Sequence, residues 1–248
     1  MEEVGRSPHV PESLARHVTF EGRAVEGSEA PTLEGRLSAP QDGALHPAVV
    51  LCHANPAAGG SMDMKVMLAI EAALVEAGFA TLRYNSRGVG ESTGTISRTG
   101  DGVLVAPEGA PETQDVGAAL DFLAMQQGVD PNHIALVGHS FGGRISLAYL
   151  SSHPGETRVQ AVVCIGLPVA WRNLAHLGQW ECPKLFITGE FDDFSPPEQL
   201  AEFVNSLPEP STLVTLKGTG HFFEGREGDL AAVVVTFLNK IFHPHTTG

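Results

Sequence analysis

From about Ala48 onward, short runs of consecutive apolar residues alternate with stretches whose apolar positions recur every three or four residues. The short runs are Ala48–Cys52, Ala80–Tyr84, Ile134–Val137, Ala161–Ile165, Leu185–Thr188 and Leu213–Leu216. They are continuous rather than alternating, as strands are when helices cover both faces of a parallel sheet. The intervening stretches read as helices. Val116, Leu120 and Leu123 share a face ahead of Gly128, the segment Met64 to Ala77 stops at Gly78, and Leu230, Val234, Phe237, Leu238 and Ile241 form one stripe on a last helix. Ahead of these units, His17–Glu21 and Leu33–Ser38 are expected to pair as an antiparallel edge, joined by a polar, Gly-containing turn. Residues before about Pro11 are expected to be loosely held. Thr93–Pro111, rich in Gly, Thr and Pro, reads as a long loop of the kind that is either functional or disordered. No repeat or linker interrupts the pattern, so a single α/β domain over residues 1–248 is predicted: a mostly parallel central sheet with helices on both faces.

Composition narrows the function. The chain has 248 residues, 15 basic and 29 acidic, for a formal net charge of −14. That balance argues against nucleic acid as a partner, because phosphate-backbone binding needs clustered Lys and Arg. The three cysteines, Cys52, Cys164 and Cys182, have no C-x-x-C spacing, which disfavours a zinc site or a disulfide framework. No stretch approaches the roughly 18 consecutive apolar residues of a membrane span, and the first residues lack the basic and apolar segments of a signal peptide. A cytoplasmic protein that needs neither membrane nor metal is expected, as a monomer or homodimer.

The densest chemistry lies in Gly138-His139-Ser140-Phe141-Gly142-Gly143, directly after the run Ile134–Val137 and before a helical segment from Arg144 to Ser152. Strand, sharp turn and helix are the context that a G-x-S-x-G nucleophile elbow demands. Side chains at the flanking glycines would collide with the neighbouring strand or helix, and the turn exposes the Ser140 hydroxyl near a helix N-terminus. A serine nucleophile needs a base held by a carboxylate, in chain order Ser, acid, His. Glu190, Asp192 and Asp193 follow the run Leu185–Thr188, on the rim where Ser140 is expected. Asp192 is the expected acid, with Asp193 second, Glu190 third, and capping of a helix near Pro197 as the competing role, which fits Asp193 better. Of eleven histidines, His221 is the expected base, since it leaves the last strand through Lys217-Gly218-Thr219-Gly220 on the same rim. His139 points away from Ser140 in such a turn, and His243 and His245 lie in the tail. Oxyanion donors are expected at the Phe141 N–H and at Asn55 (or Ala54), in the loop His53 to Gly60, where Pro56 has no N–H. His53 is expected to hold that loop and to border the substrate pocket, with Trp171 and Trp180 as further pocket residues.

Taken together, these segments resemble the α/β-hydrolase superfamily, and within it the small, cap-poor dienelactone hydrolase-like group. The resemblance rests on His53–Lys65 with its G-G-S-M-D-M-K run, Leu82–Ser92 (L-R-Y-N-S-R-G-V-G-E-S), Gly138–Gly143, and Gly189–Pro196 with Gly220-His221-Phe222-Phe223. It implies an α/β-hydrolase fold with minimal or no cap, a triad carried by Ser140, His221 and Asp192, and no dissociable cofactor. Similar proteins commonly read H-P-H-P where this chain has His53-Ala54-Asn55-Pro56. Dienelactone hydrolases proper use a cysteine where this elbow has serine, which argues against dienelactone as substrate.

The expected reaction is acyl transfer from a small, soluble ester to water through an acyl-enzyme. Thioester, amide or peptide hydrolysis by the same triad is one alternative, because fold and triad do not set the substrate. A hydrolase-like protein that only binds a ligand is the other. A carboxylate-nucleophile reaction is excluded by Ser140, and a phosphate cradle is unsupported, because Gly88-Val89-Gly90 is too short for a dinucleotide fingerprint and there is no G-K-S/T run.

Overall fold

The computed structural model describes residues 15–97, 111–169, 174 and 181–243. Their strands are β1 (Ala15–Glu21), β2 (Thr32–Ser38), β3 (His46–Cys52), β4 (Ala80–Tyr84), β5 (Val129–His139), β6 (Val159–Ile165), β7 (Lys184–Gly189) and β8 (Ser211–Leu216). They form one sheet in the order β1-β2-β4-β3-β5-β6-β7-β8. β2 runs opposite to the other strands, antiparallel to both β1 and β4; β3 through β8 are parallel wherever they pair. The antiparallel edge expected from His17–Glu21 and Leu33–Ser38 is therefore present, with Val18 facing Gly35.

Among the described residues, four α-helices lie between strands and a fifth follows the last: α1 (Lys65–Glu76), α2 (Glu112–Ala124), α3 (Phe141–Ser152), α4 (Pro197–Asn205) and α5 (Glu227–Phe242). They divide between the two faces, and the apolar runs divide with them. Val49 and Leu51 of β3 face the core built with Met67, Ile70 and Leu74 of α1 and Leu230, Val234 and Leu238 of α5. Ala48, Val50 and Cys52 of the same strand face Val116 and Leu120 of α2, Ile145 of α3 and Leu200 of α4. A strand with a core on each side has no position to give to water, which is why β3, β6 and β7 read as unbroken apolar runs. The elements before residue 98 and after residue 111 are also tied directly. Arg87 forks onto Asp115 of α2 at 2.6 and 3.0 Å, with both side chains buried. The Ser97 N–H and hydroxyl donate to the buried Glu112 at 2.7 and 2.9 Å.

The connection from β6 to β7 covers only residues 166–183, far short of the roughly 50 residues that an independent cap domain would need. Trp171, Trp180, the interior of Thr93–Pro111 and the segment before Pro11 lie outside the described residues. Because β3 and β5 to β8 run parallel, the loops that begin at His53, Ser140, Gly166, Glu190 and Lys217 leave the sheet on one rim. Open α/β sheets bind their ligands at this rim.

Candidate active site

Ser140 stands between the last residue of β5 and the first of α3, with φ 54° and ψ −114°. This left-handed conformation costs a non-glycine residue on the order of 1–3 kcal/mol and persists only where the surroundings enforce it. The enforcement is visible. The Ser140 N–H donates to the Ile165 carbonyl at 2.7 Å. Gly138 and Gly142 let backbones meet: a Cβ on Gly138 would lie 2.3 Å from the Gly143 nitrogen, and one on Gly142 would lie 2.1 Å from the Cys52 carbonyl oxygen. The elbow's glycines thus answer to close approach, not to positive φ. Phe141 opens α3, and the first N–H groups of a helix have no intrahelical acceptor. Its N–H and the helix dipole both favour negative charge beside Ser140.

The structure brings Ser140, His221 and Asp192 together. The Ser140 hydroxyl donates to His221 Nε2 at 2.9 Å. His221 Nδ1–H donates to both Asp192 oxygens, at 2.9 and 3.0 Å. All three side chains are buried, and Asp192 Oδ1 also accepts the N–H groups of Phe194 (2.9 Å) and Ser195 (2.8 Å). A carboxylate held by two backbone donors cannot swing away from the imidazole. Thr188 braces the turn by donating its hydroxyl to the Ser195 carbonyl at 2.6 Å. Neither of the other acids reaches His221. Glu190 accepts the Gly218 N–H at 2.8 Å, and Asp193 is exposed. The capping role considered for Asp193 is corrected: α4 starts from Pro196 with no side-chain cap.

Two further histidines are buried beside this chain. His139 Nε2–H donates to the His221 backbone carbonyl at 3.0 Å, so the residue before the serine anchors the loop that carries the imidazole. His53 Nδ1–H donates to the Ala54 carbonyl at 2.6 Å, and its Nε2 accepts the Ser86 N–H at 3.1 Å. With both nitrogens engaged inside the protein, His53 holds its loop and has no polar atom to offer a ligand. Burial pushes both imidazoles down to about 4, so both are neutral at pH 7.

Asn55 shapes the loop after β3. Its side chain accepts the Ala57 N–H at 2.8 Å and its carbonyl accepts the Ala58 and Gly60 N–H groups. Among the described residues, no acceptor takes the Asn55 N–H itself. Cys52 and Cys164 are buried, and burial pushes the Cys52 thiol up to about 11, so it is an inert core residue. Beside the loop that follows β4, His17, Glu34 and Glu91 bring possible metal-ligand atoms within 4.8 Å of one another. There, one oxygen of Glu34 already accepts from Asn85 at 2.7 Å and from the Glu91 N–H at 2.5 Å.

Sequence reasoning missed Gly166. It follows β6 at φ 55°, and a Cβ there would lie 3.0 Å from His221 Nδ1 and 3.2 Å from Asp192 Oδ2. A glycine ending an apolar run was the available signal.

A family profile described as the alpha/beta hydrolase fold matches residues 47–177. Among solved structures, the chain is similar to an alpha-beta serine hydrolase homologue from Coxiella burnetii. The two are 30% identical, with 88% of this chain and 96% of that one covered at a TM-score of 0.71. An alpha/beta serine hydrolase without lid from Xanthomonas campestris is 24% identical, over 97% of this chain and 99% of that one, at a TM-score of 0.73. An uncharacterised protein of Rickettsia prowazekii is 25% identical over 207 residues, which is 80% of this chain and 82% of that protein.

Proposed function

This chain belongs to the alpha/beta hydrolase family, and we propose that it hydrolyses small, soluble esters by acyl transfer through Ser140. One observation carries the reading: the unbroken chain of hydrogen bonds from the Ser140 hydroxyl through His221 to Asp192. In this reaction His221 Nε2 takes the hydroxyl proton as Ser140 Oγ attacks the ester carbonyl. Asp192 keeps the proton on Nδ1 and stabilises the imidazolium. The N–H groups of Phe141 and Asn55 stabilise the tetrahedral oxyanion, which forms at the positive end of α3. His221 then protonates the leaving alkoxide, the alcohol departs, and water activated by the same imidazole releases the acid and restores Ser140.

A small ester is favoured over a peptide by the position of the serine. β5 pairs with β3 and β6 up to Gly138 and His139, so no strand edge beside Ser140 is open to an extended peptide backbone. The short β6–β7 connection supports an open site suited to soluble substrates. A fluorophosphonate probe tests the reading against a protein that only binds a ligand. Wild type should take one equivalent at Ser140 by intact mass, His221→Ala should react far more slowly, and Ser140→Ala should take none. A folded wild type that stays unlabelled overturns the proposal.

A further inference from the structure

Five large hydrophobic residues are exposed among the described residues, and three of them, Phe191, Phe194 and Phe222, sit on the two loops that carry Asp192 and His221. Phe222 is 52% exposed and Phe194 is 36% exposed, whereas the imidazole between them is buried. The Phe194 ring centre lies 4.6 Å from that of His221 at an interplanar angle of 41°, and the Phe222 ring centre lies 5.3 Å from it at 82°. Exposed aromatic surface gathered at one place is costly to keep in water and marks a site for an apolar ligand.

The chemistry of the triad says which part of a substrate would meet these rings. His221 must protonate the departing oxygen, so that oxygen comes within about 3 Å of Nε2. The acyl carbonyl oxygen is committed instead to the N–H groups of Phe141 and Asn55. Groups flanking the imidazole therefore contact the leaving alcohol. We propose that Phe194 and Phe222 form the leaving-group subsite, and that the preferred substrates are esters of neutral, apolar alcohols, aromatic ones above all. The inference rests on the proposed roles of Ser140 and His221. Charge on the same loops points the same way. Glu190, Asp193 and Glu224 are exposed, against Lys217 and a partly exposed Arg226 that is already paired with Asp229, which disfavours an anionic leaving group.

The test compares kcat/KM for benzyl acetate and 2-methoxyethyl acetate, whose alcohols are of similar acidity, in wild type, Phe194→Ser, Phe222→Ser and the double variant. Wild type should prefer the benzyl ester by at least about tenfold. Each substitution should cut that ratio about three- to tenfold, the value of an aromatic contact at a partly open site. The double variant should approach parity. The ratio of benzyl acetate to benzyl butyrate should stay unchanged in every variant, because the acyl side is not touched. A ratio within one enzyme cancels any loss of folded protein. No benzyl preference in wild type, or a preference that survives the double substitution, overturns the subsite. Hydrolysis that persists in Ser140→Ala would instead overturn the reading beneath it.

Discussion

Gly166 stands against His221 with no room for a methyl group: a Cβ built on it would lie 3.0 Å from both Cε1 and Nδ1 of the imidazole. The residue also has φ 55°, which non-glycine residues adopt at a cost of roughly 1 kcal/mol or more. Gly166→Ala should therefore fold with modest destabilisation yet displace the imidazole from Ser140. A displacement of that kind should lower kcat about ten- to a hundredfold with little change in KM. Steady-state kinetics beside a thermal melt separates the two effects, and an unaltered kcat would show that the imidazole has slack.

The elbow glycines make a contrasting pair with a surface glycine. Gly142→Ala would drive a methyl group to 2.1 Å from the Cys52 carbonyl oxygen and 2.6 Å from that of His53, and both are backbone atoms that cannot rotate away. Gly155→Ala meets nothing within 4 Å and has no positive φ. Urea unfolding should show a loss of about 3 kcal/mol or more for Gly142→Ala, and a change within about 0.5 kcal/mol for Gly155→Ala. Similar values for the two would contradict the close-approach account.

Acid should destabilise the protein through its buried histidines. His53 and His139 are held down to about 4 by burial, from an ordinary value of 6.5. Between those values the unfolded chain binds more protons than the folded one, so stability rises with pH. The contribution is fully present above about pH 6.5 and is lost as the pH falls to about 4. It amounts to about 3 kcal/mol for each ring. Unfolding free energies measured from pH 7.5 to 4.5 should fall steeply below 6.5, and His53→Gln should flatten that slope by up to one proton. An unchanged slope would assign the acid sensitivity elsewhere.

The Arg87–Asp115 pair should matter for folding rather than for chemistry. Removing one partner strands a buried charge, so Asp115→Asn should cost about 3–5 kcal/mol in unfolding experiments. At a temperature where the variant is folded, its kcat should stay within a few-fold of wild type. A stable variant with abolished turnover would reverse that assignment.

Much of the fold was legible because its signals are local. Continuous apolar runs gave β4 to the residue and β3, β6, β7 and β8 to within two, since a buried parallel strand shows its two-sided core directly in sequence. β5 begins at Val129, five residues before the apolar run at Ile134. Only Val129 pairs with β3 before the ladder resumes at Ile134; Asp130 to His133 are an irregular stretch without a ladder partner, and their partly or fully exposed side chains leave no apolar run. The site divides in the same way. Ser140, Asp192 and His221 could be placed from the strand ends they follow. The bond from His139 to the His221 carbonyl, the approach of Gly166 and the grip of Asp192 on two N–H groups are through-space relations between distant segments. No spacing in the chain encodes them.

The central claim is that Ser140 is the nucleophile of an esterase, and hydrolysis of p-nitrophenyl esters of increasing acyl length by wild type and Ser140→Ala tests it most directly. Wild type should turn over the short esters, and the variant should lose on the order of 10⁴–10⁶ in kcat while remaining folded. A folded Ser140→Ala that hydrolyses these esters as fast as wild type would contradict the account.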